Sequence, residues 1–209
     1  MPFALRATAP VNLGVRLMKV VVASDIHGVT DELKAALSFL GSDTLFLSPW
    51  ATDACPYESE HEAVREFLAA SGIEEYSAKI ATAMGKSRTL LVGFSVGATG
   101  SWIAAANASC HTESQAVLYY GSRIRDHQSL QPKFDVSLVF AEHEHSFKPD
   151  ELAVALRQAK VKQTVVRGAS HGFMNPCSSN YAPQHACNQL ELLEKLCNAY
   201  APSINPQSK

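Results

Sequence analysis

The chain has 209 residues, 46% of them hydrophobic, and its 18 basic and 20 acidic side chains leave a net charge of −2. This composition can build a sizeable core, which excludes a disordered chain, and this length predicts one domain over 1–209. The balanced charge argues against binding to nucleic acid or to an anionic membrane. No apolar run reaches the roughly 18 residues that a transmembrane helix needs.

The termini and the cysteines give no sign of export. Residues 1–17 lack the apolar stretch of a signal peptide and are expected to form an N-terminal arm or an edge strand. Residues 201–209 are expected to form a flexible tail. Five cysteines at irregular spacing predict reduced thiols, with a Cys177–Cys187 disulfide as the minor alternative. We therefore expect a cytoplasmic protein.

Apolar, β-branched runs alternate with segments of helical periodicity along the chain. Strands are predicted at 18–24, 45–47, 89–93, 116–121, 136–141 and 162–167. Helices are predicted at 30–39 with Thr30 or Asp31 as the cap, at 60–70, at 98–106, from Pro149 onward and at 184–200. Strands that are apolar on both faces are typical of parallel sheets. The alternation predicts the α/β class, with a mostly parallel sheet of about six to seven strands between two layers of helices.

The sequence GFSVG at 93–97 stands between a predicted strand and a helix of small residues. On such a sharp turn the two glycines remove side chains that would clash, and the hydroxyl of Ser95 is left exposed above the sheet at a helix N-terminus. The pattern alone also fits a tight strand-to-helix turn with Ser95 as a helix cap. The functional interpretation therefore depends on partners for the serine.

Those partners are predicted from the ends of the next strands. In enzymes with this serine turn, an acid and then a histidine follow along the chain. Glu144 comes three residues after the strand predicted to end at 141, and His171 follows the strand 162–167. His171 would act as the general base, and the Glu144 carboxylate would orient it. Glu142 and Asp150 remain the alternative acids.

Two backbone amides are candidates for an oxyanion hole, which needs donors aimed at the developing negative charge. One is the amide of Val96, directly after the nucleophile. The other is expected in the turn after the first strand, where Ile26 is preferred and His27 comes second.

Four segments resemble the dienelactone hydrolase family of the α/β-hydrolase superfamily: VVVASDIHGVT at 20–30, LLVGFSVGATG at 90–100, AVLYYGSRI at 116–124 and HGF at 171–173. The resemblance implies a three-layer α/β-hydrolase fold and the same Ile26 and Val96 oxyanion hole. Members of that family use cysteine and aspartate where this chain has Ser95 and Glu144. Asn175 replaces the arginine that binds a substrate carboxylate. For this chain the resemblance therefore implies a general carboxylic ester hydrolase rather than an enzyme that cleaves dienelactone.

Five residues are candidates for contact with the substrate, because they lie in or beside the strand-end turns: Asp25, His27, Phe94, Arg123 and Phe173. Arg123 could bind a substrate carboxylate through its two-pronged guanidinium group. Phe94 and Phe173 could line a pocket wall, although packing in the core is an equal possibility for such residues.

Two other functions remain open at this point. SDIHG at 24–28 is also similar to the opening motif of metallophosphoesterases, with Asp25 and His27 as metal ligands. That chemistry needs further Asp, Asn and His ligands from several loops, and the later motifs of that family do not occur. The second alternative is a non-catalytic α/β-hydrolase-fold binding protein.

The short connections between the predicted elements leave no room for a lid domain. We therefore expect an open, shallow cleft and a small-molecule ester substrate rather than a lipid. No metal or organic cofactor is implied, and the chain is expected to be a monomer or a homodimer.

Overall fold

A computed structural model describes residues 18–107 and 109–199. The expectations for 1–17 and 201–209 lie outside the described residues. Within the described ranges, no helix has the length and apolar character needed to cross a membrane.

Six strands form one sheet in which every pair of neighbours is parallel. They are β1 Lys19–Ala23, β2 Leu45–Leu47, β3 Thr89–Phe94, β4 Gln115–Tyr119, β5 Asp135–His143 and β6 Val161–Ser170. Their order is β2-β1-β3-β4-β5-β6. The predicted parallel sheet is confirmed. From β1 the chain continues to β2 on one side of the sheet, and from β3 it continues to β4, β5 and β6 on the other side. In α/β sheets, ligands bind at the carboxyl ends of the two strands between which the direction changes, here β1 and β3.

The described residues form six α-helices, of which the first five lie between strands and the last follows β6: α1 Asp31–Ala36, α2 Glu60–Ala69, α3 Gly72–Met84, α4 Val96–Ala105, α5 Pro149–Ala155 and α6 Pro183–Ala199. Thr30 caps α1, since its side chain accepts a hydrogen bond from the Leu33 amide at 3.1 Å. The helix predicted at 30–39 is shorter than expected, because a 3₁₀ helix at Ser38–Leu40 replaces its last turn. No prediction was made for α3.

The sheet is covered on both faces, as its continuous apolar strands require. Val21 and Ala23 of β1 pack in one core cluster with residues from α2, α3, α4 and α5. Val20 and Val22 point to the opposite face and pack with residues from α6 and the 3₁₀ helix. Successive strand residues thus enter two cores, which gives the three-layer α/β arrangement and leaves the carboxyl edge of the sheet for the site.

Candidate active site

Ser95 lies between β3 and α4 in a strained backbone conformation, with φ 50° and ψ −111°. A non-glycine residue rarely adopts a positive φ, and such strain is concentrated at functional sites. The turn also needs glycine beside the serine, because a Cβ at Gly97 would overlap the carbonyl oxygens of Ala23 and Ser24. The close approach of α4 to β1 therefore depends on Gly97.

Ser95, His171 and Glu144 form a continuous hydrogen-bonded line. The Oγ atom of Ser95 lies 2.9 Å from Nε2 of His171, and Nδ1 of His171 lies 3.0 Å from both carboxylate oxygens of Glu144. The Glu144 side chain is only 4% exposed, so its contact with Nδ1 of His171 is shielded from water. The structure thus brings together three side chains from the ends of three different strands.

The two alternative acids have other partners. Glu142 accepts hydrogen bonds from Arg167 at 3.0 Å and from the Gly168 amide at 2.8 Å. Asp150 pairs with the same Arg167 through both of its carboxylate oxygens. Strand β5 runs two residues farther than predicted, to His143, with a register irregularity between 141 and 143. A bulge of this kind re-aims the side chains that follow it, and here Glu144 faces His171.

The pKa of His171 is raised despite its burial. Burial is the largest single influence and lowers the pKa, but the hydrogen bond and the charge of Glu144 raise it, with smaller contributions from Glu60 and Asp25. The net result is a pKa raised above the ordinary value of histidine. A histidine of this kind accepts a proton readily, which suits a general base.

Two amides occupy the positions predicted for an oxyanion hole, that of Ile26 in the turn after β1 and that of Val96 at the first residue of α4. Among the described residues, no hydrogen bond uses the amide of Ile26 or of Val96 as donor. The His27 amide, the second choice, already donates to the Asp25 carboxylate at 3.0 Å. Ile26 and Val96 therefore remain available to a negatively charged oxygen.

Asp25 is buried behind this loop, where its carboxylate has two donors. Oδ1 accepts from the His27 amide, and Oδ2 accepts from the side-chain amide of Asn175 at 2.6 Å. Burial raises the pKa of Asp25, while His27 and both hydrogen bonds act against that rise. The Asn175 contact joins the loop after β1 to the loop that carries His171. Asp25 is thus an internal link and is not exposed to bind a substrate.

The metal-binding alternative gains no support from this arrangement. The Asp25 oxygens accept hydrogen bonds from N–H groups, and Nε2 of His27 faces Glu60 at 3.6 Å. In the part of the chain that the structure describes, no three His, Cys, Asp or Glu side chains are grouped to hold a metal ion.

The other predicted substrate residues lie in two kinds of place. Phe94 and Phe173 are both buried in the core beneath the site. Phe94 also lines a small cavity there together with Asp25, Tyr120 and Asn175, and Phe173 is not among the residues that line it. Arg123 lies on a 3₁₀ helix at Ser122–His127 after β4, where it pairs with Asp126 at 3.4 Å. His27 is partly exposed and remains placed to contact a ligand.

Cys177 and Cys187 are free thiols, so the alternative disulfide is absent.

An open groove of about 560 Å³ lies on the Glu144 side of His171. Glu144, Ser170 and Asn180 are among its lining residues, as are Phe147 and Pro149. Its lining is mostly polar and charged, which differs from the apolar tunnel that a long acyl chain would need.

Three residues near the site had no role in the sequence-based predictions. Glu60 faces His27, Asn175 holds Asp25, and Tyr120 packs its ring edge against His171 with centroids 5.1 Å apart. The sequence gives no signal for Glu60, because a helix-start glutamate is common on any surface. Tyr120 stands in the YYG segment, whose likeness to a family gave no role to the individual residue.

Comparisons with known proteins found related sequences and structures. Residues 57–201 match the sequence model of the dienelactone hydrolase family. YczH of Bacillus subtilis (strain 168), described as uncharacterized, is 30% identical over 176 residues, which cover 76% of this chain and 82% of YczH.

Solved structures are similar in fold at low sequence identity. A candidate dienelactone hydrolase from Klebsiella pneumoniae superposes with a TM-score of 0.66 at 18% identity, over 91% of this chain and 89% of that one. A cold-adapted esterase from an Arctic intertidal metagenomic library gives a TM-score of 0.56 at 16% identity, over 87% of this chain and 83% of that one. At these identities the likeness establishes the α/β fold.

Proposed function

The chain belongs to the dienelactone hydrolase family, and from this premise we propose that it is a serine hydrolase with a Ser95–His171–Glu144 triad. It would cleave a small carboxylic ester, lactone or thioester. The observation that carries the proposal is the hydrogen-bonded line from Ser95 Oγ through both ring nitrogens of His171 to Glu144. A nucleophile, a base and an orienting acid in mutual contact are what acyl transfer needs.

The first half of the reaction forms an acyl-enzyme. Ser95 Oγ attacks the carbonyl carbon while Nε2 of His171 takes its proton, and the carbonyl electrons move to the oxygen. The Ile26 and Val96 amides would stabilise that oxyanion. When the oxyanion collapses, the bond to the leaving group breaks and His171 returns the proton to the departing alcohol or thiol.

The second half repeats these steps with water. Nε2 of His171 takes a proton from a water molecule while the water oxygen attacks the acyl carbon. When the resulting oxyanion collapses, the bond between the acyl carbon and Ser95 Oγ breaks, the carboxylic acid leaves, and His171 returns the proton to Oγ. The Glu144 carboxylate accepts the hydrogen bond from Nδ1–H, so that the neutral imidazole has its lone pair on Nε2, and it stabilises the imidazolium that forms in each half of the reaction. No step consumes anything except ester and water.

The substrate class is a general small ester rather than a dienelactone. Asn175 stands where the family resemblance implies an arginine for a substrate carboxylate. Its side-chain amide is buried and bonded to Asp25, so this position offers no cation to a substrate. Arg123, the other candidate for that role, is paired with Asp126.

The decisive experiment is labelling with a fluorophosphonate probe, followed by peptide mapping. We expect one modified peptide that contains Ser95, and we expect Ser95→Ala to abolish both labelling and p-nitrophenyl acetate hydrolysis with the fold intact. Ser101→Ala is the matched control, because Ser101 is a buried serine of α4, the helix that follows Ser95, and its hydroxyl has no hydrogen-bond partner among the described residues. Turnover retained in Ser95→Ala would disprove the assignment. Folded wild-type protein that never reacts would instead favour a binding module.

A further inference from the structure

Tyr120 has the second strained backbone of the site. It follows the end of β4 with φ 42°, a left-handed conformation that is unfavourable for a residue with a large side chain. Ser95, at the end of the neighbouring strand β3, has the same unusual sign of φ. Residues held in this way persist only where their surroundings determine them, and they cluster at active sites.

Hydrogen bonds to both neighbouring strands hold the backbone around Tyr120. Its own amide donates to the carbonyl of Val139 in β5 at 2.7 Å. The carbonyl just before it, that of Tyr119, accepts from the amide of Ser95 at 3.0 Å. The main chain that sets the direction of the Tyr120 side chain is therefore bonded directly to the nucleophile residue.

The strained backbone directs the Tyr120 ring into the space beneath His171. The ring is fully buried and meets the imidazole edge-on, at 5.1 Å between centroids and 64° between planes. On its other sides it contacts Phe173 at 5.5 Å and Phe94 at 6.2 Å. The Tyr120 hydroxyl has no hydrogen-bond partner among the described residues. Ring packing, and not a bond from the hydroxyl, thus fixes the side chain.

Building on the proposed hydrolase function, we propose that Tyr120 is a positioning residue that holds the His171 imidazole in line between Ser95 and Glu144. The hydrogen bonds at Nδ1 and Nε2 fix the line between the two ring nitrogens, but they leave the imidazole plane free to rotate about that line. A rigid aromatic wall against the ring removes that freedom. Misplacement of a reacting group by about 1 Å can lower a rate about 100-fold.

The test compares variants at two adjacent tyrosines. Tyr120→Leu removes the wall, and we expect kcat for p-nitrophenyl acetate to fall about 10- to 100-fold while KM stays within about twofold. Tyr120→Phe keeps the ring and should stay within about twofold of wild type in both constants. Tyr119→Leu is the matched control, because Tyr119 is equally buried but stacks on Phe94, at 5.2 Å. It should lower the melting temperature and leave kcat within about twofold.

Three results would overturn the proposal. Tyr120→Leu could keep its kcat, Tyr119→Leu could lose as much kcat as Tyr120→Leu, or Tyr120→Phe could be as impaired as Tyr120→Leu. The second result would mean general destabilisation, and the third would assign the role to the hydroxyl. If Tyr120→Leu does not fold, Phe173→Leu loosens the support behind the ring and should lower kcat with KM unchanged. An unchanged kcat in that variant also overturns the proposal.

Fluorophosphonate labelling separates this proposal from the function on which it rests. Wild type labelled at Ser95, with Tyr120→Leu labelled at the same rate, would overturn the role of Tyr120 and leave the serine hydrolase standing. Folded wild type that is never labelled would overturn both.

Discussion

At the end of β3, main-chain geometry holds Ser95, whereas at the ends of β5 and β6 side-chain contacts hold Glu144 and His171. The nucleophile turn, residues 93–97, has buried neighbours on both sides of Ser95 and no charged side chain. The acid–base loops, residues 142–145 and 170–175, contain exposed and half-exposed charged groups. We therefore expect the addition of a single carbon atom to disrupt the nucleophile turn. The acid–base loops should tolerate substitutions at residues that do not contact the His171 imidazole.

The largest expected effect comes from adding one methyl group to the nucleophile turn. Gly97→Ala places a Cβ on two backbone carbonyl oxygens of β1 and its following turn, which cannot rotate away. We expect a loss of about 3 kcal/mol or more in the free energy of unfolding, with no measurable esterase activity. Denaturant unfolding and p-nitrophenyl acetate turnover measure the two effects.

Gly100→Ala provides the control for that variant on the same helix. Its nearest contact would be the flexible end of the Ile80 side chain, at 3.0 Å, and alanine favours helix more than glycine by up to about 1 kcal/mol. We expect a change within about 1 kcal/mol and normal activity. Equal damage from both substitutions would show that α4 as a whole, and not the turn, is sensitive.

The second largest effect belongs to the acid–base loops and should appear in activity rather than in stability. Glu144→Gln keeps the shape of the side chain but not the charge that orients His171, and we expect kcat to fall by about 10³- to 10⁴-fold. Glu142→Gln is the matched control two residues earlier, because Glu142 pairs with Arg167 and not with His171. If Glu142→Gln, or Asp150→Asn, lowers kcat as much as Glu144→Gln, the acid has been assigned to the wrong residue.

The difference between the two regions also explains what the sequence could reveal. The nucleophile turn has a local pattern, because its two glycines and its serine fall within five residues, although the contacts that constrain them come from β1, the turn after it and β4. The partners of Ser95 could be predicted only by their order and by the strand that each follows. Which of Glu142, Glu144 and Asp150 reaches His171 depends on the irregularity in β5 and on Arg167, and neither has a pattern in the chain.

The fold shows the same limits. The apolar strands were predictable because burial on both faces leaves a continuous run, as in Leu90–Val92 within β3. Helix α3 is not predicted because it begins at Gly72, a weak helix former, directly after the helix predicted at 60–70. The burial of Phe94 and Phe173 is decided by neighbours distant in sequence, such as Tyr120 and His185, so pattern alone could not separate pocket from core.

The smallest expected effect is a gradual change of kcat/KM with pH. It depends on the titration of His171 in the acid–base loops, and the nucleophile turn contains no charged side chain. Because the pKa of His171 is raised, the acid limb of kcat/KM should lie above the ordinary histidine value of about 6.5. In the residual activity of Glu144→Gln this limb should move to lower pH, since burial then acts on His171 without the opposing carboxylate. A limb that stays in place would show that Glu144 does not control the titration.

Stability should change with pH in the opposite direction to activity. A histidine whose pKa is raised by folding stabilises the folded state fully below its unfolded pKa, and this contribution is lost as the pH rises through the folded pKa. The pKa of His27 is also raised, chiefly by its hydrogen bond with Glu60, so both histidines act in the same sense. Over the range in which kcat/KM rises, we therefore expect the melting temperature to fall slightly, and Glu144→Gln should flatten that fall. A melting temperature that instead rises in wild type across this range would contradict the raised pKa of His171, because loss of the proton would then favour the folded state.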